Sequence, residues 1–301
     1  MELIQLHSFY EIVKTGSFSE ASRKVFRSQS AVSHQIINLE RELKVKLFKR
    51  MGKKIKLTQE GESLFNITNK FFNDLENLKR FYLDMENGLE GKLTIAATSA
   101  MVTYVLPDII RQFLDQFPKI SFKLFTCRFI SELCPLVLNG EVDFGIGLKS
   151  YQEISPKLIF LPWKSFDMYL IVSKGHPLSQ KKRIKLIDIV KYPHILYSKG
   201  TAIRKVIEDV CAQNKLSPNV IMEVDMAENI KSNVEKGIGV GIISSLAITK
   251  KDKERLKIFK VNHFFGQVEF GIYYRRDSYI SAAMKQFIKL FAPELLNSVC
   301  P

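Results

Sequence analysis

The residues with the clearest chemical capacity lie in two neighbouring stretches near the N-terminus. Ser28, Gln29, Ser30, Ser33 and His34 fall within seven positions, and between Arg41 and Lys56 there are eight basic residues against one acid, Glu42. Short, uncharged donors and acceptors suit close approach to base edges and phosphates in a major groove, whereas a solvent-facing helix usually carries Lys and Glu. A basic run is often only a solvated surface. Here Leu43, Leu47 and Phe48 are expected to anchor it to a core, and Gly52 with Lys53 can turn a hairpin into the strand IKLT. Two short strands with a basic tip suit phosphates or a minor groove. The chemistry on offer is recognition of a polyanion.

Catalytic readings find less support. The five histidines make no HExxH, and no GxSxG is present. Asp143-Phe144-Gly145 spells a kinase triplet but lacks the phosphate loop and catalytic loop that must accompany it. Gly237, Gly239 and Gly241 are not spaced GxGxxG and follow a helix instead of opening one. Cys127, Cys134, Cys211 and Cys300 form neither a CxxC pair nor a zinc cluster. Cys127 and Cys134 can be read as packed thiols or as a redox pair, with packing the commoner case. No metal, cofactor or catalytic constellation is expected.

The elements that position these residues are legible from periodicity. Leu6, Phe9, Tyr10 and Val13 lie on one face of a first helix that ends at Gly16. Ser17 caps a second, burying Phe18, Ala21 and Val25 and stopping near Phe26. Ser28 caps a third, in which Val32, Ile36 and Leu39 share the inner face while Ser30, Ser33 and His34 project outward. Ile37 lies in the same outward stripe, as a harmless exposed residue or as a contact to a thymine methyl. The chain of 301 residues, 46% hydrophobic and 25% charged, is long enough for two or three globular units. Its formal charge of +14 fits a nucleic acid, an anionic membrane surface or acidic ligands. The N-terminus lacks signal-peptide regions and no 18-residue apolar run occurs, so a soluble, cytoplasmic protein with no membrane partner is expected.

The stretch QLHSFYEIVKTGSFSEASRKVFRSQSAVSHQIINLERELKVKLFKR resembles the N-terminal domain of LysR-type transcriptional regulators. The likeness runs through the Gly-Ser-Phe turn, Ala21, Ser28-Gln29, Leu39-Glu40, Leu47-Phe48 and Arg50. It departs at Ser30, where the family commonly has Pro, which pre-forms a first helical turn. The resemblance implies a winged helix-turn-helix over residues 1–60. Its DNA-facing set is Ser17, Arg27, Ser28, Gln29, Ser30, Ser33, His34, Ile37, Arg50, Lys53 and Lys54.

From Thr58, a plausible N-cap, a long helix runs toward Asn87-Gly88. Leu64, Thr68, Phe71, Leu75, Leu78, Tyr82, Met85 and Leu89 alternate three and four apart, as in a coiled-coil seam. An ordinary core helix is the alternative; the family resemblance favours a linker and dimerisation helix over 58–90.

After Gly91 strands and helices alternate, beginning with LTIAAT and a helix expected from near Ala100 to Phe117. This is βαβ arithmetic and implies a largely parallel sheet flanked by helices. With TYVLPDII, GEVDFGI, LIVSKGHPL and EKGIGVGII, it resembles the periplasmic-binding-protein-like effector domain of the same regulators. The fold class expected is therefore α/β with an N-terminal all-α winged helix-turn-helix, the effector domain filling 91–301. Two α/β subdomains, about 91–163 with 266–301 and about 164–265, would enclose a cleft.

By position in the family pattern, Thr98, Ser99, Ala100, Met101, Arg128 and Leu148 line one side of that cleft and Ser198, Lys199, Thr201 and Asp225 the other. Taken singly, Ser99 and Thr201 can equally be helix caps and Arg128 a solvated residue. Relatives that sense inorganic oxyanions carry hydroxyls or amides where Ala100, Met101 and Leu148 stand, so the resemblance implies an organic, carboxylate-bearing co-inducer. Arg128 or Lys199 would be its charge partner and Thr98 or Ser99 a hydroxyl donor. From position 91 onward there are 30 Lys and Arg against 19 Asp and Glu, consistent with drawing in an anion.

The function implied is a metabolite-responsive regulator acting on double-stranded operator DNA as a homodimer or homotetramer, with RNA polymerase as a further partner. Two other classes compete: a solute-binding or enzymatic α/β protein, and a non-specific nucleoid protein. The missing catalytic groups count against the first and the large cleft domain against the second.

Overall fold

A computed structural model of the chain describes residues 1–51, 54–86, 89–276 and 278–296, with backbone alone at 50, 51, 54, 77 and 79–86. The chain divides into two compact units, Met1–Tyr82 and Leu83–Pro301.

The first unit holds α1 (Leu3–Thr15), α2 (Phe18–Lys24), α3 (Gln29–Leu43), the antiparallel pair β1 (Phe48–Met51) and β2 (Lys54–Leu57), and most of α4 (Gln59–Glu86). Its core is Phe9, Ile12, Ala21, Val25, Val32, Ile36, Leu39 and Leu47, the inner faces of the three short helices plus the wing entry. Leu43, expected to anchor the basic run, is exposed instead. Leu47 and the half-buried Phe48 do that work with Glu40, whose buried carboxylate accepts from Leu47 N at 2.9 Å, Phe48 N at 3.5 Å and Lys46 Nζ at 2.6 Å. Gly61 lets α4 begin there, since a Cβ at that position would lie 2.2 Å from the Leu47 carbonyl oxygen. Thr58 accepts from Gly61 N at 3.0 Å, as its N-cap role requires.

The apolar seam expected along α4 does not share one environment. Leu64 packs on the first unit's core and Thr68 is buried. Phe65 and Phe72, which lie outside the seam, stack with Tyr10 of α1, and Phe72 also meets His7. Two phenylalanines seven residues apart fill the α1 aromatic surface and so turn Ile67, Phe71 and Leu78 outward, where all three are exposed. Leu89 packs on the core of the second unit. Of the other seam positions, Tyr82 and Met85 have no described side chains.

The second unit is built on one long sheet. In chain order its elements are β3 (Gly91–Thr98), α5 (Ser99–Tyr104), α6 (Leu106–Gln116), β4 (Ile120–Cys127), α7 (Ile130–Leu138), β5 (Phe144–Leu148), β6 (Leu158–Ser173), α8 (Leu186–Val190), β7 (Pro193–Tyr197), α9 (Ala202–Gln213), β8 (Asn219–Val224), α10 (Ala227–Glu235), β9 (Val240–Ser244), α11 (Lys250–Arg255), β10 (Leu256–Lys260), α12 (Asn262–Phe265), β11 (Gln267–Arg275) and α13 (Ala282–Phe291). The strand order is β4-β3-β5-β11-β6-β9-β7-β8, with β10 beside β6. Strand β3 runs parallel between β4 and β5, and β7 runs parallel between β8 and β9. The two parallel halves meet through β6: its residues up to Asp167 pair with β11, and from Met168 onward it pairs with β9 and β10. This makes two α/β lobes, crossed once by β6 and once by the return into β11.

One expected helix is two. A continuous helix from Ala100 to Phe117 would need an N–H at Pro107, which has none. The chain breaks at Val105 (φ −121°, ψ −54°) and restarts with Pro107 in the first turn of α6. The glycines after α10 behave as expected: Gly237 takes φ +77° just past the helix end, and a Cβ on Gly241 would lie 2.3 Å from Ile230. Asp143 is structural, accepting from Thr94 N at 2.6 Å. Burial pushes the Cys127 and Cys134 thiols up to about 11, which fits packed rather than reactive thiols; Cys300 lies outside the described residues.

Candidate DNA-contact surface and effector cleft

Helix α3 is positioned by its cap and by its inner face. Ser28 is extended (φ −70°, ψ 152°) and accepts from Ala31 N at 3.2 Å, and Ser30 Oγ lies 3.0 Å from Ser28 Oγ. The hydroxyl standing where relatives have Pro thus joins the cap. With Val32, Ile36 and Leu39 buried, Gln29, Ser30, His34 and Ile37 are exposed and Ser33 is half-buried beside them. His34 Nδ1 is 3.2 Å from Asn38 Nδ2, which leaves Nε2 outward as a free donor or acceptor. Ser17 stands apart at the start of α2, accepting from Glu20 N at 3.3 Å. Arg27, exposed, precedes the cap. Arg50 and Lys54 sit on the two wing strands, but their side chains and all of Lys53 lie outside the described residues. Read from its backbone and its described side chains, this is a helix with an uncharged polar face beside a basic hairpin.

In the second unit a cavity of about 370 Å³ is walled by both lobes. One lobe contributes Phe129–Ser131 at the start of α7 and Ser150–Gln152 after β5; the other contributes Lys199–Ala202, Lys205 and Glu208 at the start of α9. Thr201 caps α9, accepting from Arg204 N at 3.4 Å. Arg204 fixes the helix against the sheet: it is buried, donates to the Tyr197 carbonyl at 3.0 Å and to Glu208 at 2.7 Å, and lies 3.3 Å from Glu223. The start of α9 and the exposed Lys199, which precedes it, therefore lie at the cavity edge, where the helix end favours negative charge.

The sequence-expected lining is only partly brought together. Lys199 and Thr201 line this cavity, while Ser99, Ala100 and Asp225 line a separate recess of about 30 Å³ with Tyr104, Tyr197 and Glu228. Met101 was expected in the cleft and is instead fully buried in the core, because its side chain points from α5 toward the sheet. Arg128 was expected as a charge partner for a ligand. It is occupied: its Nη1 is 3.4 Å from Asp225 across the lobes and its Nη2 3.6 Å from Glu132. Asp225 also accepts from Ser198 Oγ at 2.7 Å, and that hydroxyl and then Arg128 hold the carboxyl below its usual range against partial burial. Arg128, Asp225 and Ser198 form an inter-lobe bridge. Leu148 is half-buried and packs on the core. Thr98 is buried at the end of β3, and its Oγ1 has no hydrogen-bond partner.

A second bridge lies on the small recess. Tyr104 Oη donates to Glu228 at 2.6 Å, and burial followed by that hydrogen bond raises the phenol above its usual range. Glu228 is 2.7 Å from the buried Lys231, which also reaches Asp252 and the Ala247 carbonyl. Sequence reading missed Ser150–Gln152, Phe129 and Arg204; the signal was that a loop leaving a parallel strand end, here after β5, is where ligands meet an α/β lobe. Among the described residues no group of three His, Cys, Asp or Glu side chains could hold a metal, and no helix is long and apolar enough to cross a membrane.

Comparison with known proteins aligns with this division. A model described as a bacterial regulatory helix-turn-helix protein of the lysR family matches residues 3–62, and one described as a LysR substrate binding domain matches 86–295. The HTH-type transcriptional regulator SsuR of Burkholderia cenocepacia is 31% identical over 297 residues, covering 98% of this chain and 96% of its own. The crystal structure of the cofactor-binding domain of the Cbl transcriptional regulator is 28% identical with a TM-score of 0.65, over 71% of this chain and 93% of that one. Full-length CbnR, crystallised with its target DNA, shares the fold over 97% of this chain and 99% of its own at a TM-score of 0.67 and 19% identity.

Proposed function

This chain belongs to the LysR family of bacterial transcriptional regulators, and on that premise we propose that it reads an operator through α3 and the wing and answers to a small organic anion held between the lobes of its effector domain. It is a helix-turn-helix transcriptional regulator with an effector-binding domain, not an enzyme. Ser33, His34 and Gln29 contact base edges, with Ser30 and Ile37 flanking them. Arg27, Arg50, Lys53 and Lys54 neutralise phosphates, and Ser17 and Ser28 donate to phosphates from helix starts. The outward face of α4 at Ile67, Phe71 and Leu78 pairs two copies, so that two α3 helices meet an inverted repeat, with a tetramer as the larger assembly. Leu78→Glu should then give monomers by sedimentation at micromolar concentration, because a carboxylate would be desolvated in an apolar interface. A regulator that acts on operator DNA, with RNA polymerase as a further partner, would do so in the cytoplasm.

The observation that carries the effector assignment is the inter-lobe cavity of about 370 Å³ with Lys199 and the capped start of α9 on one wall and Phe129, Ile130 and Tyr151 on the other. Phe129, Ile130 and Tyr151 facing Lys199, with the second lining cation, Lys205, already paired to Asp209 at 2.8 Å, favour an organic body bearing a carboxylate over a fully hydrated inorganic ion. Lys199, not the already paired Arg128, supplies the charge, and Thr201 a polar contact. Calorimetric titration of the full chain with a panel of organic acids and with sulfate tests this. One organic acid should bind saturably, and Lys199→Ala should weaken it by roughly 10-fold or more, as loss of a charged hydrogen bond does. Tight sulfate binding that no organic acid displaces, or full affinity in a Lys199→Ala, Thr201→Ala double variant, would overturn it.

A further inference from the structure

Phe26 is the most exposed large apolar residue among the described positions, 91% accessible, and it does not lie on a flat stretch of chain. It closes α2. Its N–H bonds to the Arg23 carbonyl at 3.3 Å and the next N–H, of Arg27, reaches back to Ser22 at 2.9 Å, so Phe26 takes the left-handed position of a helix stop, with φ +54°. Gly fills that position without strain and Asn tolerates it, whereas the Cβ of other residues crowds the adjoining carbonyl. Lys44 and Lys215 also adopt positive φ, but each carries a charged end that water solvates. Phe26 combines a backbone position that favours Gly or Asn with a ring in solvent; the helix-stop hydrogen bonds offset the first cost, but no side chain of its own unit covers the ring.

Its surroundings indicate what does. Arg23, Lys24 and Arg27 are exposed around it, Ser28 caps α3 two residues later, and no acid occurs from Ala21 to Gln35. A lone ring ringed by cations is too small and too positively charged for a protein interface, which needs a contiguous apolar core. DNA accepts single apolar contacts, on thymine methyls and sugar edges, next to the phosphates that such cations seek. We propose that Phe26 is a DNA-contacting residue, its ring lying against the sugar and thymine-methyl surface beside the groove that α3 enters while Lys24 and Arg27 hold the adjacent phosphates. The inference rests on the reading of α3 given above and adds a contact that precedes the recognition helix. The cost of a ring in solvent is then offset when DNA covers it.

The test uses the full chain, a duplex that the wild-type protein selects from a random-sequence pool, and an unselected duplex of equal length. Phe26→Asn suits the left-handed backbone and keeps the fold, so its unfolding midpoint should equal or exceed that of the wild type. Its affinity for the selected duplex should fall roughly 10-fold, as expected for exposing a buried aromatic surface. The dependence of affinity on salt should not change, because no phosphate contact is lost. Phe26→Leu, apolar but equally strained, should retain most of the affinity. The proposal is overturned if Phe26→Asn binds within twofold of wild type, if its loss comes with a shallower salt dependence, or if it alters the sedimentation of DNA-free protein, which would assign the ring to a second copy. Failure of the α3 reading shows separately, as undiminished discrimination between the two duplexes in His34→Ala.

Discussion

Helix α3 and the inter-lobe cavity both present polar groups to a ligand, but they are assembled in opposite ways. The outward residues of α3 lie between Gln29 and Ile37 on one helix, so a single cap at Ser28 and a single buried face place all of them. The cavity takes its walls from the starts of α7 and α9 and the loop after β5, segments separated by up to about eighty positions in the chain. Each lobe is held by polar ties between segments distant in the chain: Asp143 to Thr94 in one, and Arg204 to Glu223 and Lys231 to Asp252 in the other. A locally built surface should therefore tolerate loss of a contact residue without unfolding. An assembled one should depend on residues that never touch the ligand.

The hardest test of that contrast is Asp252→Ala. The carboxylate is fully buried and hydrogen-bonds Lys231, itself 2% exposed, at 2.9 Å, so its removal breaks a buried ion pair, leaves the ammonium to Glu228 and the Ala247 carbonyl, and also takes away the acceptor of Thr249 N, Thr249 Oγ1 and Arg255. A loss of about 3 to 5 kcal/mol of stability is expected in urea unfolding, together with weaker effector binding, although Asp252 lies outside the cavity. A variant as stable as wild type would break the comparison.

Acid should separate the two regions next. His194 on β7 is buried, and desolvation pushes it down to about 4, so the folded protein holds it neutral while the unfolded chain takes a proton near 6.5. Its contribution is complete above pH 6.5 and is lost as pH falls from 6.5 toward 4, by about 3 kcal/mol for a shift of that size. Urea midpoints measured across this range should decline, and His194→Gln should flatten the decline. An equal slope in the variant would show that another group controls it.

The smallest expected effect lies on α3. His34→Ala or Ser33→Ala should reduce discrimination between operator and random DNA by about 1 to 3 kcal/mol per lost base contact. Stability should change by no more than about 0.5 kcal/mol for the exposed His34. Uniform weakening on every sequence would move these residues to the phosphate-contact class, and a large loss of stability would erase the contrast with the cavity.

The same contrast governs how much was legible beforehand. Ser28 as a cap, Val32, Ile36 and Leu39 as an inner face, and Thr58 as the start of α4 follow from rules that span four residues, and the structure shows each of them. Leu43 departs from its expected place because the wing entry is secured by the Glu40 carboxylate, a buried charge that no apolar pattern announces. The α4 seam could not reveal that Phe65 and Phe72, outside it, would meet Tyr10.

Periodicity, capping residues and strand-helix alternation were enough by themselves to determine three short helices, a long helix and a largely parallel α/β domain, because each depends on neighbours within a few turns of chain; the helix-turn-helix and the two lobes were what the family resemblance implied. Tertiary structure alone decided which side chains share the cavity. It buried Met101, spent Arg128 on Asp225 and Glu132, and brought Tyr151 and Phe129 to the wall opposite Lys199. The physical reason is that a charge has no fixed role until its partners arrive from elsewhere in the chain, and a strand end has no opposite wall until the crossing strands set two lobes face to face.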